Sequence, residues 1–548
     1  MPDLARHASL QSALRAAFDA RPDALALIEA HRDRDHARCP CGGVRSAALA
    51  CAGWLQERDA RRVAIVLTNQ SKWHVAAAAA LWIGAEIVPL DPKLTPGEHA
   101  ALLAHAKADV LVTEFFLWRD RAFAGHAAVV EAPPNADLRG ATRWEEARGG
   151  EPRFVERGRD DVACIVYSSG TGGRPKGCRM THGNYLSQCA ALLRHHSFDP
   201  GDTYLSILPT NHAIDFMVGF LGPYVCGATV VHLRTLRPEF VRDAFTRYRI
   251  AYCALVPMIL TSLADGIRAK LAAVGGAKGV LLKALRGLTR LACRSRPRPA
   301  VGRLLLGPVH GGFGGRLKAL FVGGAFSDPD TLRFFRDLGI PVANGYGLTE
   351  AGTVVTLNTF DAYRPDTVGR PLEGTEVRIH EAGPDGVGEV VVRGPTVMKG
   401  YLDDPALTAE TIRDGWLHTG DLGRLLPTGH LVLLGRKKNM IVTAGGKNVY
   451  PEDIENVFEG LPAKEFCVFA EHYLWKGGAD RLVVVVRPDG RDFVDDLRRR
   501  NRGLPDFKRV AAFLSWERDF PRTASLKVKR NDLAAEIGEA GSGGLREL

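Results

Sequence analysis

The chain has 548 residues, 46% of them hydrophobic and 24% charged, which excludes a fibrous or disordered polypeptide and is too long for one ordinary core. Its net charge of +10 is local: residues 266–320 hold twelve Lys or Arg and no Asp or Glu, and the remainder is near neutral. The opening residues, MPDLARHASLQSALRAAFDA, lack the apolar core of a secretory signal.

Elements are predicted as follows, in chain order. Cys39-Pro40-Cys41 follows His31 and His36, but the spacing matches no common zinc pattern. The ten cysteines form no CxxC pair, and several sit in apolar runs, as reduced buried thiols do. Residues 63–67 read as a strand, 73–83 as a helix, 87–90 as a strand, 98–106 as a helix and 110–113 as a strand. Such alternation builds parallel sheets flanked by helices. Residues 216–233 lack Asp, Glu, Lys and Arg but contain Gly219, Gly222, Pro223 and Gly227, which suits a buried strand–loop–strand passage better than a membrane span. Short alternating runs over 375–435, such as 389–393 and 431–434, predict a small antiparallel β layer. A smaller α/β pattern follows: helix at 452–459, strands at 466–470 and 482–487, helix at 494–500. The fold class is therefore α/β, with the main boundary near 435–439.

The chemistry is concentrated in a few segments. A short strand at 164–167 enters Ser168, Ser169, Gly170, Thr171, Gly172, Gly173, Arg174, Pro175, Lys176 and Gly177. Unobstructed backbone N–H groups, hydroxyl donors and the Lys176 charge are what a polyphosphate needs. This is no Walker A loop, because Pro175 precedes the lysine and Gly177 follows it. Asn344-Gly345-Tyr346-Gly347-Leu348-Thr349-Glu350 offers an aromatic face, a hydroxyl and a carboxylate in a glycine-loosened turn. Then come Trp416-Leu417-His418-Thr419-Gly420-Asp421, whose acid suits paired ribose hydroxyls, and Gly435-Arg436-Lys437-Lys438. Ala444-Gly445-Gly446-Lys447 and the C-terminal Pro521 to Arg530 run, with Lys527, complete the set.

Together these motifs, in order over residues 60–535, resemble the adenylate-forming superfamily of acyl-CoA synthetases, luciferases and peptide-synthetase adenylation domains. The resemblance implies a large N-terminal domain of parallel sheets with flanking helices and a small β layer (1–435), and a small mobile C-terminal α+β domain (436–548). It implies attack of a carboxylate on the α-phosphate of Mg²⁺-bound ATP, then displacement of AMP by a thiol, usually coenzyme A. Ser168, Ser169, Gly170, Thr171, Gly172, Gly173 and Lys176 would hold the β/γ-phosphates, Glu350 the Mg²⁺ and Thr349 the α-phosphate. Gly324, Ala325 and Tyr346 would line the adenine site, and Asp421 and Arg436 would take the ribose. Lys527 would bridge carboxylate and α-phosphate, and Lys438 would be the hinge between adenylation and thioester poses. Gly445 and Gly446 would border the coenzyme A channel, and His212 would gate the acyl pocket. Gly172, Asn211 and Leu526 stand where the family commonly has a threonine, an aromatic residue and a glycine.

Residues 266–316 resemble the insertion of bacterial long-chain acyl-CoA synthetases. Leu281, Leu285 and Leu288 are expected on one helical face there, and Lys283, Arg286, Arg290 and Arg294 on another. That reads either as a basic amphipathic helix for an anionic membrane surface, using 266–318, or as a solvated helix with its leucines on the enzyme body. Phe313 is the segment's one aromatic residue, so no stacking platform for nucleic acid is expected. The expectation is a cytoplasmic, peripherally membrane-associated enzyme activating a medium- or long-chain fatty acid and transferring it to coenzyme A. The alternatives are loading of an acyl carrier protein, an aryl-acid ligase, or a non-catalytic relative.

Overall fold

A computed structural model describes the chain apart from residues 1, 2, 33, 121, 122, 124, 125, 169–175, 197, 236, 443–447, 476, 480 and 523–527; of residues 120, 442 and 448 only the backbone is described. The described chain divides into two compact units, residues 1–377 with 392–417 and residues 378–391 with 418–548.

Two sheets form the first unit. Among the described residues the larger has nine strands: Arg370–Pro371, Thr356–Leu357, Val342–Tyr346, Ala319–Val322, Tyr252–Leu255, Thr203–Ser206, Thr229–Leu233, Leu25–His31 and Arg34–Pro40, in spatial order. Its run from Val342–Tyr346 to Leu25–His31 is parallel, and antiparallel strands close both edges. The second sheet has, among the described residues, seven strands, ordered Thr142–Arg143, Ala127–Glu131, Val110–Glu114, Arg62–Val66, Glu86–Pro89, Val162–Ser168 and Lys176–Thr181. Only its last pairing is antiparallel. The predicted alternation at 63–113 is thus realised as three adjacent parallel strands.

Helix Ser71–Trp82 explains how the sheets share a core. It contacts Arg62–Val66 and Glu86–Pro89 of one sheet and Leu25–His31 of the other. Every residue from Trp73 to Leu81 is buried, including five consecutive alanines. A helix that is apolar all round has no solvent face, and alanine lets its backbone approach both layers.

Two expectations are corrected. Residues 216–233 are buried as expected, but their first half is helical: a π-helical turn Phe216–Leu221, then helix Gly222–Cys226, and only then the strand Thr229–Leu233. Pro223 occupies the first turn, where its missing N–H costs nothing, and Gly227 ends the helix at φ +79°. In the basic segment, helix Gly276–Ala292 does not keep Leu281, Leu285 and Leu288 together: Leu285 packs toward the core with Leu282, while Leu281 and Leu288 are exposed.

In the second unit, strands Ala463–Ala470, Leu482–Pro488, Ala512–Ser515 and Leu545–Glu547 form a mixed sheet. Helices Pro451–Phe458, Val494–Arg502 and Arg530–Ala540 bury Ile454, Phe458, Leu497, Leu533 and Ile537 in its two cores. This matches the smaller α/β pattern of helices and strands read from the sequence. The same unit holds the antiparallel pairing of Trp416–Leu425 with Leu431–Arg436, in register Asp421 to Arg436.

Among the described residues no helix is long and apolar enough to cross a membrane. No metal-ligand cluster occurs among them either. All ten cysteines are free thiols, and every one but the half-buried Cys39 is buried.

Candidate active site

Parallel strands carry ligands at their carboxyl ends. In the nine-stranded sheet the turn to His212 follows Thr203–Ser206, Gly324 and Ala325 follow Ala319–Val322, and Thr349 and Glu350 follow Val342–Tyr346, the strand that ends on Tyr346. Three candidate segments therefore leave the same end of one sheet. Ser168 ends a strand of the other sheet, and Lys176 starts the strand antiparallel to it, paired in register with Ser168.

The segment 398–402 ties the two sheets together. Met398 N–H donates to the Glu350 carbonyl at 2.8 Å, Leu402 N–H to the Gly177 carbonyl at 2.8 Å, and Arg179 N–H to the Gly400 carbonyl at 2.9 Å. Tyr401 thereby lies between the two charged candidates. Its hydroxyl donates to Glu350 Oε1 at 3.2 Å, and the Lys176 ammonium stands 5.8 Å from its ring centroid. Burial raises the pKa of the Tyr401 phenol and the Glu350 charge adds to this, so the hydroxyl stays a donor. Burial likewise pushes the Cys178 thiol well up, with Glu350 adding to the shift while the Ser168 hydroxyl and Lys176 oppose it. Ser168, Lys176 and Glu350 thus share one electrostatic neighbourhood.

Glycines in the Asn344–Glu350 run are required by close approach. A Cβ on Gly347 would meet the Thr353 carbonyl oxygen at 1.7 Å, and one on Gly345 the Thr356 oxygen at 2.7 Å. Thr353 itself takes φ +129°, a strained value for a β-branched residue, directly after Gly352 at φ +79°. Gly324 has open space around it and takes φ +86°, so conformation selects glycine there. Tyr346 is buried, whereas Ala325 is exposed.

His212 is half-buried and starts the short helix Ala213–Asp215; its N–H donates to the Pro209 carbonyl at 3.0 Å. Two residues outside the predicted set fix this turn. Asn69, from beyond a strand of the other sheet, donates to the Leu208 carbonyl at 2.6 Å and accepts from Thr210 N–H at 2.9 Å. Asp215, fully buried, accepts from Tyr204, Ser206 and Thr210 at 2.7, 2.8 and 3.2 Å. Burial pushes its carboxyl up to about 6 despite these three donors. Its oxygens are committed to three protein hydroxyls, which fix the turn.

In the second unit, Arg436 Nε stands 2.7 Å from Asp421 Oδ1, the ion pair that follows from their strand register. Asp421 N–H donates to the Thr419 hydroxyl, which donates to the Val390 carbonyl. Burial works to raise the Glu389 carboxyl, but the Gly420 N–H, His418 and Lys437 outweigh it and hold the pKa below its ordinary value. Asn439 donates to Glu452 Oε1 at 2.9 Å, so Lys438 lies between two residues anchored to different carboxylates. Ser169, Gly170, Thr171, Gly172, Gly173, Gly445, Gly446 and Lys527 lie outside the described residues.

A family model described as AMP-binding enzyme matches residues 14–402. A 3-[(3aS,4S,7aS)-7a-methyl-1,5-dioxo-octahydro-1H-inden-4-yl]propanoyl:CoA ligase of Mycobacterium tuberculosis is 31% identical over 94% of this chain and 96% of its own. A feruloyl-CoA synthase of Amycolatopsis sp is 29% identical over 94% of this chain and 95% of its own. Long-chain-fatty-acid–CoA ligase 1 of Cavia porcellus is 30% identical over 62% of this chain and 50% of its own. Among solved structures, the o-succinylbenzoate CoA synthetase of Bacillus subtilis with its acyl-adenylate superposes with a TM-score of 0.77, at 23% identity and with 95% and 97% of the two chains covered.

Proposed function

The chain belongs to the AMP-binding enzyme family, and on that premise we propose that it is an AMP-forming acid–thiol ligase whose acid is a medium- or long-chain fatty acid. The observation that carries the ligase reading is that Lys176 and Glu350 both stand against Tyr401, one cation and one carboxylate presented by two sheets.

In the first step a carboxylate oxygen attacks the α-phosphorus of ATP; a P–O bond forms, the bond to the bridging oxygen breaks, and pyrophosphate leaves. Lys176 neutralises charge on the leaving phosphates, which is how positioned cations promote such transfers. Glu350 offers hard oxygen ligands: Tyr401 occupies one lone pair of Oε1, and among the described residues no Lys or Arg pairs with the carboxylate. That donor set fits Mg²⁺, which when bound neutralises phosphate charge. Tyr346 would take the adenine and Asp421 with Arg436 the ribose. Lys527 would hold the incoming carboxylate against the α-phosphate. In the second step a coenzyme A thiolate attacks the acyl carbonyl carbon and AMP leaves with the electron pair of the C–O bond.

A boundary at 435/436, with Lys438 as hinge, would let the C-terminal part supply Lys527 in one pose and the Gly445–Gly446 channel in the other. His212 would border the acyl pocket. The fatty-acid reading is supported by the basic, apolar-faced segment 266–318. A second reading, an aryl or polycyclic acid, is favoured by the nearly full-length likeness to feruloyl-CoA synthase and the propanoyl:CoA ligase. Acid-dependent pyrophosphate release across a panel of fatty, aryl and amino acids separates them, and activity confined to aryl or amino acids defeats the fatty-acid reading. Offering coenzyme A and an acyl carrier protein in turn, once the adenylate has formed, identifies the thiol.

A further inference from the structure

Helix Gly276–Ala292 carries two apolar faces, and the body of the enzyme covers only one of them. Leu282, Leu285, Thr289 and the following Cys293 face inward. Val280 and Leu291 are each 70% exposed, and Leu281 and Leu288 are 59% and 55% exposed. At 3.6 residues per turn those four side chains share one stripe about 100° wide. Leu304, on the neighbouring helix Pro299–Leu305, is 82% exposed. Single exposed leucines are ordinary, but a stripe of four apolar side chains along one helix marks an interaction surface.

The charge around this stripe names the partner. Lys283 and Arg290 border it, and Arg294, Arg296 and Arg303 are exposed just beyond. Arg290 reaches Asp337 at 3.4 Å; among the described residues Lys278, Lys283, Arg294, Arg296 and Arg303 make no ion pair. Residues 266–320 contain no carboxylate to repel an anionic surface. Aromatic side chains that would stack on bases are absent apart from the buried Phe313. Exposed aliphatic groups edged by lysine and arginine are the chemistry of a helix lying in the headgroup layer of an anionic bilayer.

We propose that the outer face of helix Gly276–Ala292, with Leu304, docks the enzyme on anionic lipid bilayers. The apolar stripe enters the acyl boundary and the cations meet lipid headgroups. This complements the fatty-acid reading, since fatty acids partition into the same layer, but it does not depend on that reading.

The test is partitioning of the full-length protein onto vesicles of phosphatidylcholine alone and of phosphatidylcholine with phosphatidylglycerol at 7:3, in the absence of any acid substrate. Wild type should bind the anionic vesicles at least about tenfold more tightly than neutral ones, since each cation near the surface is worth about fivefold. The neutral double variant Leu288→Ser/Leu291→Ser should lower that partition by about tenfold, with an unchanged melting temperature because both side chains are exposed. Lys283→Gln/Arg294→Gln, or a rise to about 0.5 M salt, should lower it comparably. Wild type that ignores anionic vesicles, or binds them as well as Leu288→Ser/Leu291→Ser does, overturns the proposal. So does light scattering that shows concentration-dependent self-association abolished by the same variant without vesicle binding. Pyrophosphate release with a short water-soluble acid, measured separately, should be equal in all these variants, so failure of docking and failure of the ligase reading are distinguishable.

Discussion

The hydroxyl of Tyr401 stands 3.2 Å from Oε1 of Glu350. The geometry makes Tyr401 an orienting residue: one side chain fixes the carboxylate and lies beside the lysine. Tyr401→Phe keeps the ring near Lys176 but removes the donor, so kcat/KM for ATP should fall by about tenfold or more, as expected for a hydrogen bond to a charged group worth ~1.5–3 kcal/mol. Tyr401→Ala should also raise KM for ATP, because the contact with Lys176 goes too. Initial rates against ATP concentration, with melting temperature as the folding control, check both.

Gly347 approaches the Thr353 carbonyl so closely that no side chain fits between them. Gly347→Ala should therefore displace the Asn344–Glu350 loop, with a loss of ~3 kcal/mol or more in stability and of nearly all activity. Gly315→Ala, at a positive φ but with open space around it, is the control. It should cost only ~1 kcal/mol and leave activity intact. Urea unfolding and pyrophosphate release report on the two.

Much of this was legible in the sequence, for definable reasons. The helix at Pro451–Phe458 shows its period directly in the residues, and the strands at Arg62–Val66 and Val110–Glu114 show as short apolar runs. Lys176, Thr349 and Glu350 stand in glycine-rich runs whose composition signals close backbone approach. Tyr401 had no such signal: an aromatic residue after one glycine is common, and only the pairing of 398–402 with both sheets gives it a role. Asn69 was hidden for the same reason, since its partner Thr210 lies 141 residues away in the chain. The helical conformation of Phe216–Cys226 was missed because a fully buried apolar run has no amphipathic period. The two-faced helix Gly276–Ala292 misled in the opposite way: its leucines fit a single face until the core claimed Leu285 and left Leu281 and Leu288 outside.

Asp215 should leave a signature in the pH dependence of stability. Its native pKa of about 6 lies above the ordinary value of 3.8. Between those values the native state retains a proton that the unfolded chain has released, so this group's contribution to stability falls as pH rises from about 4 to about 6. Above that it is fully unfavourable by ~3 kcal/mol relative to acid. Asp215→Asn removes the titration. The stability of wild type relative to the variant should therefore decline across that window and then level, as read from urea midpoints at several pH values.

The two half-reactions should separate genetically. Gly446→Leu places a side chain where the thiol is proposed to pass, so thioester formation should fall at least tenfold while acid-dependent pyrophosphate release is retained. Lys527→Ala should do the reverse, abolishing most adenylation while leaving transfer from preformed acyl-AMP. Assays of each half-reaction on both variants check the assignment, and equal loss of both reactions in both variants would count against a two-pose mechanism.

The most direct measurement is pyrophosphate release from ATP by the purified wild-type chain, with and without each member of a carboxylic acid panel, alongside Glu350→Gln. Release that requires an acid, is greatest with medium- or long-chain fatty acids and falls at least a hundredfold in Glu350→Gln is the predicted result. Folded protein that binds ATP yet releases no pyrophosphate above the acid-free background with any fatty, aryl or amino acid would contradict it.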